Sequence, residues 1–288
     1  MNPSEPRERP YRTIRVSPVA GALGAEIDAV DLAAELTDEV VAEIRRAWLE
    51  HLVVFFRDQP IAEERFLAFA RRIGTIDRYP FVPGLERFPE IIAVVKLPHE
   101  TVNFGGIWHS DTTYLAEPPM ASMLLAREIP PAGGDTLFAS MYAAFEALSP
   151  AMQQLLRPLR AVNSSALADV SKTREDRIKD AKPGQDADRA YEAVHPVVRT
   201  HPETGREALF VNVAHTARFE GMTEEESRPL LQFLFHHQVR PEFTCRFRWQ
   251  VGSLALWDNR CAQHNPVNDY HGWKRVLHRI TLKGDRPA

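Results

Sequence analysis

The residues of this sequence best suited to chemistry at a metal are His109 and Asp111, an imidazole and a carboxylate two positions apart. If their segment is an extended strand, alternate side chains point to the same side, so the two groups would converge. An imidazole and a carboxylate together suit a divalent metal of intermediate hardness, iron(II) above all. Two ligands do not hold a catalytic metal, and the best candidate for a third is His264, far later in the chain. The fold would have to bring the strand of His264 beside that of His109.

A His-x-Asp triplet alone is a weak signal, and other residues in this chain give it weight. Arg275 and Arg279 follow His264, and Thr136 lies in a Gly-Gly-Asp-Thr-Leu segment. Taken together, these residues resemble the motifs of the taurine dioxygenase family of iron(II)- and 2-oxoglutarate-dependent oxygenases. The resemblance extends over nearly the whole chain, 16–284, and is densest in three segments, which are 108–140, 195–212 and 246–284.

The resemblance implies a role for each of these residues. His109, Asp111 and His264 would hold iron(II), leaving three coordination positions for the keto acid and oxygen. Arg275 and Thr136 would bind the far carboxylate of 2-oxoglutarate, and a guanidinium presents a fork of donors that matches a carboxylate. Arg279 shares one strand face with Arg275, and in the family it lies by the near carboxylate and the substrate anion. The implied reaction is hydroxylation with release of succinate and CO2, because related halogenases lose the carboxylate that is retained here as Asp111.

The expected substrate pocket differs from that of taurine dioxygenases at four positions. A histidine that holds the sulfonate is replaced by Tyr79, and a pocket tyrosine by Val82. A pocket asparagine before the metal triplet is replaced by Gly105, and a phenylalanine by His215, which is equally compatible with a plain core histidine. These differences argue against taurine and predict another small or medium organic anion, such as a sulfonate, a sulfate ester or an aryloxyacetate. The predicted substrate contacts are Tyr79, Val82, Gly105, Thr112, His215 and Arg279.

The elements that must position these residues are mostly short strands. Strands separated by turns, without a repeated strand–helix–strand rhythm, predict an antiparallel sandwich or barrel. Helices are predicted after Thr37, before Gly74 and after Thr223, where Glu226 completes a capping box, and a hairpin is predicted within 195–212. The resemblance makes the fold specific: a mostly β protein with flanking helices around a double-stranded β-helix, or jelly-roll, core.

Length and composition favour one domain over the 288 residues, with 1–12 flexible and 169–190 either a mobile lid or a plain insertion. The net charge of −4 without a basic block gives no indication of nucleic-acid binding. No apolar run approaches the roughly 18 residues that a membrane helix needs, and the first residues lack the apolar core of a signal peptide. Two cysteines fit a reducing cytosol. We therefore expect a cytoplasmic homo-oligomer, either a dimer or a tetramer, that acts on a small molecule.

Two alternatives from other functional classes remain open on the sequence. A non-catalytic metal-binding jelly roll, or a zinc hydrolase with that fold, would need His109, Asp111 and His264 but would have no use for Arg275 and Thr136. A ligand-binding or regulatory protein that retained the fold and lost turnover would keep all five residues. Succinate formation with iron(II), 2-oxoglutarate and ascorbate would distinguish these classes.

Overall fold

The described α-helices lie within the first 156 residues and near residue 230. The structure, a computed structural model, describes residues 10–78, 82–103, 105–167 and 191–288. The Thr37 side chain caps the first helix by accepting the Val40 amide, and Thr223 and Glu226 form the predicted capping box. The described α-helices are α1 (Asp38–His51), α2 (Glu63–Ile73), α3 (Met141–Glu146), α4 (Pro150–Leu156) and α5 (Glu224–His237).

Short strands make up most of the remaining regular structure. In chain order the described strands are β1 (Arg15–Pro18), β2 (Ala25–Asp28), β3 (Val53–Phe56), β4 (Ile76–Asp77), β5 (Ile92–Lys96), β6 (Ala121–Glu128), β7 (Thr136–Ser140), β8 (Arg160–Ser164), β9 (Glu192–Pro196), β10 (Val198–Thr200), β11 (Glu207–Leu209), β12 (Thr216–Phe219), β13 (Thr244–Phe247), β14 (Leu254–Asp258), β15 (Ala262–Pro266) and β16 (Arg275–Leu282).

The strands form one large sheet and several small ones. The large sheet has the order β1-β2-β3-β14-β6-β16-β4, and β5 also pairs with β16. Its neighbours are antiparallel except for the parallel pair β2 and β3. The small sheets within the described residues have the orders β13-β7-β15, β12-β8-β9 and β10-β11. Distant segments of the chain therefore meet in the centre of the large sheet.

Both faces of the large sheet are covered. On one face Phe55 of β3 stacks on Phe247 of β13 with ring centroids 4.0 Å apart, and it also packs against Phe138 of β7. On the other face Phe56 packs against the helices, where Phe69 of α2 meets it edge to face. All four residues of β3 are buried as a result. The large sheet thus faces a smaller sheet on one side and helices on the other, which confirms the predicted mostly β fold with flanking helices.

The predicted hairpin within 195–212 exists, with β10 and β11 as its arms, while His195 belongs to β9. Of the segment expected to be flexible, residues 10–12 are described, and the hydroxyl of Tyr11 and the amide of Arg12 donate to glutamates of α1. The segment 169–190 lies outside the described residues, so its role stays a prediction. Among the helices that the structure describes, none has the length and apolar character needed to cross a bilayer.

Candidate active site

The two predicted metal-binding histidines are brought together by their own backbones. His109 and His264 form an isolated antiparallel bridge in which each amide donates to the carbonyl of the other, at 3.0 and 2.8 Å. The expectation of an extended strand through Asp111 is wrong, because a turn begins at Asp111 and the next residue, Thr112, has a φ of +41°. His264 of β15 and its bridge partner His109 supply the imidazoles, and a turn rather than strand alternation directs the carboxylate toward them.

The three side chains have the spacing that one metal ion requires. Oδ1 of Asp111 lies 3.7 Å from Nε2 of His109 and 4.0 Å from Nε2 of His264. Two ligands at metal bond lengths of about 2.0–2.2 Å can be separated by at most about 4.4 Å, so both distances fit. All three residues are buried. The donor set of two imidazoles and one carboxylate is the one typical of non-haem iron(II) oxygenases.

The other oxygen of the Asp111 carboxylate is held by protein groups. Its Oδ2 accepts a hydrogen bond of 2.6 Å from the Ser122 hydroxyl and lies 2.8 Å from Nη2 of Arg279. The side-chain amide of Asn259 donates to the same hydroxyl, at 3.1 Å, while its Oδ1 accepts the indole N–H of Trp257. These contacts leave Oδ1 directed at the histidines. Sequence reasoning missed Ser122 and Asn259, although Asn259 lies only five residues before His264.

The electrostatic surroundings of the three candidate ligands favour the protonation states that metal binding requires. The Nδ1–H of His109 donates to the carbonyl of Ile107 at 2.7 Å, which leaves the Nε2 lone pair facing the carboxylate. Burial lowers the pKa of His109, and burial together with the neighbouring His109 lowers the pKa of His264 well below its usual value. Burial alone would raise the pKa of Asp111, but Arg279 and the two histidines hold it below the ordinary range. At neutral pH the cluster is two neutral imidazoles and one carboxylate.

Arg275 and Thr136 offer donors to an anion. The Arg275 side chain is buried, and its Nε and Nη2 have no hydrogen-bond partner among the described residues. The Thr136 hydroxyl accepts the indole N–H of Trp249 at 3.0 Å, which leaves its own proton available to donate. The guanidinium carbon lies 5.8 Å from the centroid of the same Trp249 ring, so both donors border one aromatic side chain. A buried arginine with unused donors fits the predicted carboxylate-binding role.

Thr112 and His215, two of the predicted substrate contacts, lie beside the predicted metal ligands. The Thr112 hydroxyl is buried and has no hydrogen-bond partner among the described residues. The ring centroid of His215 lies 6.1 Å from that of His109, and its Nδ1 is 3.0 Å from the Thr113 hydroxyl. Burial, followed by an electrostatic contribution from the His109 imidazole, lowers the pKa of His215 to about 3.

Gly105 lies directly against the ring of His109, one of the predicted metal ligands. A Cβ on Gly105 would fall 2.9 Å from Cε1 of His109, and its φ of +67° is in the region that favours glycine. Val82 is partly buried in a bend between β4 and β5. Tyr79 lies outside the described residues, so the proposed exchange of a histidine for this tyrosine stays a prediction.

Comparison with known proteins shows the family to which the chain belongs. The model of the taurine catabolism dioxygenase TauD, TfdA family matches residues 15–281. An α-ketoglutarate-dependent sulfate ester dioxygenase from Pseudomonas putida is 35% identical over 281 residues, covering 95% of this chain and 90% of the relative. An alkylsulfatase from Acinetobacter baylyi is 33% identical over 285 residues, covering 96% and 87%. A crystal structure of a taurine dioxygenase from Burkholderia xenovorans superposes with a TM-score of 0.81 at 34% identity, covering 96% of this chain and 91% of that one. The chain belongs to the TauD/TfdA dioxygenase family.

Proposed function

We propose that this protein is an iron(II)- and 2-oxoglutarate-dependent dioxygenase that hydroxylates a small organic anion and releases succinate and CO2. The observation that best supports this proposal is the combination of the His109, Asp111 and His264 cluster with the buried guanidinium of Arg275, whose Nε and Nη2 have no hydrogen-bond partner among the described residues. A zinc hydrolase or a metal-storage protein would use the cluster but not the buried arginine. Arg275 and Arg279 lie on one face of β16, and Arg279 contacts Asp111, so the two features belong to one site.

The side chains of this protein would act by binding and orienting the reactants. His109, Asp111 and His264 would hold iron(II), and a donor set of two imidazoles and one carboxylate would leave positions on the metal for the reactants. Arg275 and Thr136 would hold the far carboxylate of 2-oxoglutarate and so direct its keto end toward those positions. When bound, iron supplies the activation of oxygen that is coupled to decarboxylation of the cosubstrate. The buried surroundings exclude water from the reacting groups.

For the substrate we propose a sulfate ester, a sulfonate, an aryloxyacetate or a similar anion, with taurine as a poor substrate. The names of the two relatives, an alkylsulfatase and a sulfate ester dioxygenase, support testing sulfate esters first. At the site, the unpartnered Thr112 hydroxyl offers a donor beside Asp111, and Gly105 contributes no side chain to the space beside His109.

Oxygen uptake and succinate formation test the reaction and the substrate together. Purified protein with iron(II), 2-oxoglutarate and ascorbate is assayed with sulfate esters, sulfonates, aryloxyacetates, phosphonates, amino-acid derivatives and taurine. We expect substrate-stimulated succinate with at least one organic anion, and none from His264→Ala. Arg275→Ala should raise the 2-oxoglutarate requirement, because leaving one buried charge unpaired costs roughly 2–5 kcal/mol. Absence of succinate with every compound would favour a binding protein, and taurine as the best substrate would refute the pocket assignment.

Location and assembly are further proposals. We infer a cytoplasmic protein, because both cysteines, Cys245 and Cys261, are free and buried. We also infer a homo-oligomer, either a dimer or a tetramer. Light scattering on the purified protein would test this by giving its mass, which is compared with the 32.7 kDa of one chain.

A further inference from the structure

A second buried cation, Lys96, faces the same cavity as Arg275. Lys96 ends β5 and is the direct register partner of Arg275 in β16. Directly opposed residues of an antiparallel pair project to the same side of the sheet. Both side chains line one cavity, together with Asn103 and Tyr270. Nothing in the sequence motifs draws attention to Lys96, because its role depends on the pairing of β5 with β16.

The Lys96 ammonium is buried without a hydrogen-bond partner. The residue is 5% exposed, and Nζ has no hydrogen-bond partner among the described residues. Burial lowers the pKa of Lys96, and the carboxylate of Glu100 partly opposes that change. A buried charge without hydrogen bonds is costly to a folded protein. Lys96 and Arg275 thus bring to one cavity two buried cations with donor atoms that have no partner among the described residues, which indicates an anion as the occupant.

The cavity wall beside Lys96 is fixed by hydrogen bonds. The Tyr270 ring lies under the ammonium, with Nζ 4.2 Å from its centroid. The Tyr270 hydroxyl donates to Oδ1 of Asn103 at 2.8 Å, and Nδ2 of Asn103 donates to the carbonyls of Pro266 and Val267. These contacts hold the aromatic ring in place and give the two cations a defined geometry.

We propose that Lys96 is a second cationic contact for the far carboxylate of the 2-oxo acid cosubstrate, acting beside Arg275. This inference rests on the proposed function, since it assigns a residue to the cosubstrate of that reaction. With two cations at one end, the cavity selects a 2-oxo acid that carries a second carboxylate. The competing explanation is that Lys96 only supports the Tyr270 ring by a cation–π contact.

A pair of 2-oxo acids separates the two explanations. 2-Oxoglutarate and 2-oxopentanoate share the chelating end, and they differ in carrying a carboxylate or a methyl group at the far end. Binding of each acid to the Mn(II)-loaded protein is measured by calorimetry for the wild type, Lys96→Met and Lys96→Arg. The matched control is Lys274→Met, because Lys274 precedes Arg275 but pairs on the surface with Glu128.

We expect Lys96→Met to weaken 2-oxoglutarate binding by about tenfold or more, the scale of a lost hydrogen bond to a charged group, and to change 2-oxopentanoate binding less than twofold. Lys96→Arg should restore most of the difference, and Lys274→Met should change neither affinity. Equal weakening of both acids, or of neither, would overturn the assignment while leaving the proposed reaction intact. If Lys96→Met does not fold, Lys96→Gln answers the same question. A wild-type protein that does not bind 2-oxoglutarate would instead remove the proposed function, and this assignment with it.

Discussion

Both carboxylate oxygens of Asp111 have close neighbours at the candidate metal site. One carboxylate oxygen faces the two histidines, and the other is held by Ser122 at 2.6 Å and Arg279 at 2.8 Å. Second contacts of this kind fix the orientation of a metal ligand, and their loss typically lowers metal affinity about 10- to 100-fold. We expect Ser122→Ala to weaken iron(II) or cobalt(II) binding within that range, as measured by anaerobic titration. Ser253→Ala, which alters a buried serine in a distant turn, should leave metal affinity unchanged; an equal loss in both variants would contradict the assignment.

The neighbouring glycines 105 and 106 provide a test of space at the metal. A Cβ on Gly105 would lie 2.9 Å from the His109 ring at a φ of +67°, whereas one on Gly106 would meet Asn103 at an ordinary 3.5 Å. Gly105→Ala must displace a metal ligand and adopt a strained backbone, which costs about 1 kcal/mol or more. We expect it to lower metal affinity measurably in the same titration, and Gly106→Ala to have little effect. Equal affinities for the two variants would show that the His109 ring can move without consequence.

At the scale of elements, the turn between β14 and β15 is fastened by a buried ionic network. Asp258 accepts two hydrogen bonds from the Arg260 side chain, at 2.8 and 2.6 Å, and one from His201 of the β10–β11 connection at 3.1 Å. The other nitrogen of His201 accepts the backbone amides of Glu203 and Thr204. His201, Asp258 and Cys261 lie close enough together for a metal, but these hydrogen bonds already use the lone pairs that a metal would need. The network therefore positions the strand that carries His264.

This network makes an acid-dependent contribution to stability. Burial alone would raise the pKa of Asp258, but hydrogen bonds from Arg260 and His201 outweigh burial and lower it to about 2. Because the folded pKa is below the unfolded value of about 3.9, the stabilisation is complete above pH 4 and is lost as the pH falls toward 2. We expect Asp258→Asn to lower the free energy of unfolding by about 3 kcal/mol at pH 6, as measured by urea denaturation.

The pH dependence of that difference is the specific test. The difference in free energy of unfolding between the wild type and Asp258→Asn should become smaller when urea denaturation is repeated near pH 2. The control is Glu207→Gln, which removes a largely exposed ion pair with Arg157. It should lower the free energy of unfolding by less than about 1 kcal/mol at pH 6. If this difference in free energy of unfolding did not change with pH, the ionised state of Asp258 would not stabilise the fold.

The sequence was sufficient to predict elements whose ends are marked by nearby residues, such as capped helices. It was not sufficient to predict which strands pair with one another. Thr37 and the Thr223–Glu226 box marked helix starts correctly, because capping depends on residues within one turn. The two histidines were identified by type, but their bridge depends on pairing between distant segments. The same limitation hid Lys96 and Ser122, whose neighbours are set by strand register. The turn at Thr112 was missed because a threonine with positive φ has no local sequence signature.

At the scale of the whole molecule, the site joins the two facing sheets. Arg275 and Arg279 belong to β16 of the large sheet. Thr136 and His264 lie on β7 and β15 of the small sheet with the order β13-β7-β15. A metal ion and a dicarboxylate bound there would contact both layers and so resist their separation. Ligands that bind only the folded state stabilise it by mass action, by about 2.7 kcal/mol at a concentration 100 times the dissociation constant.

We therefore expect the metal and the cosubstrate each to raise the melting temperature, by two increments that can be measured separately. Manganese(II) should raise the melting temperature of the wild type, and 2-oxoglutarate should add a further rise, each by several degrees, since about 1 kcal/mol corresponds to roughly 2–4 °C in domains of 150–250 residues. Chelation of the metal should remove both increments, because the keto end of the cosubstrate would then lack its partner. His264→Ala should lose both, whereas Arg275→Ala should keep the metal increment and lose the second. If Arg275→Ala lost the metal increment as well, its guanidinium would be needed for the integrity of the cluster rather than for the cosubstrate.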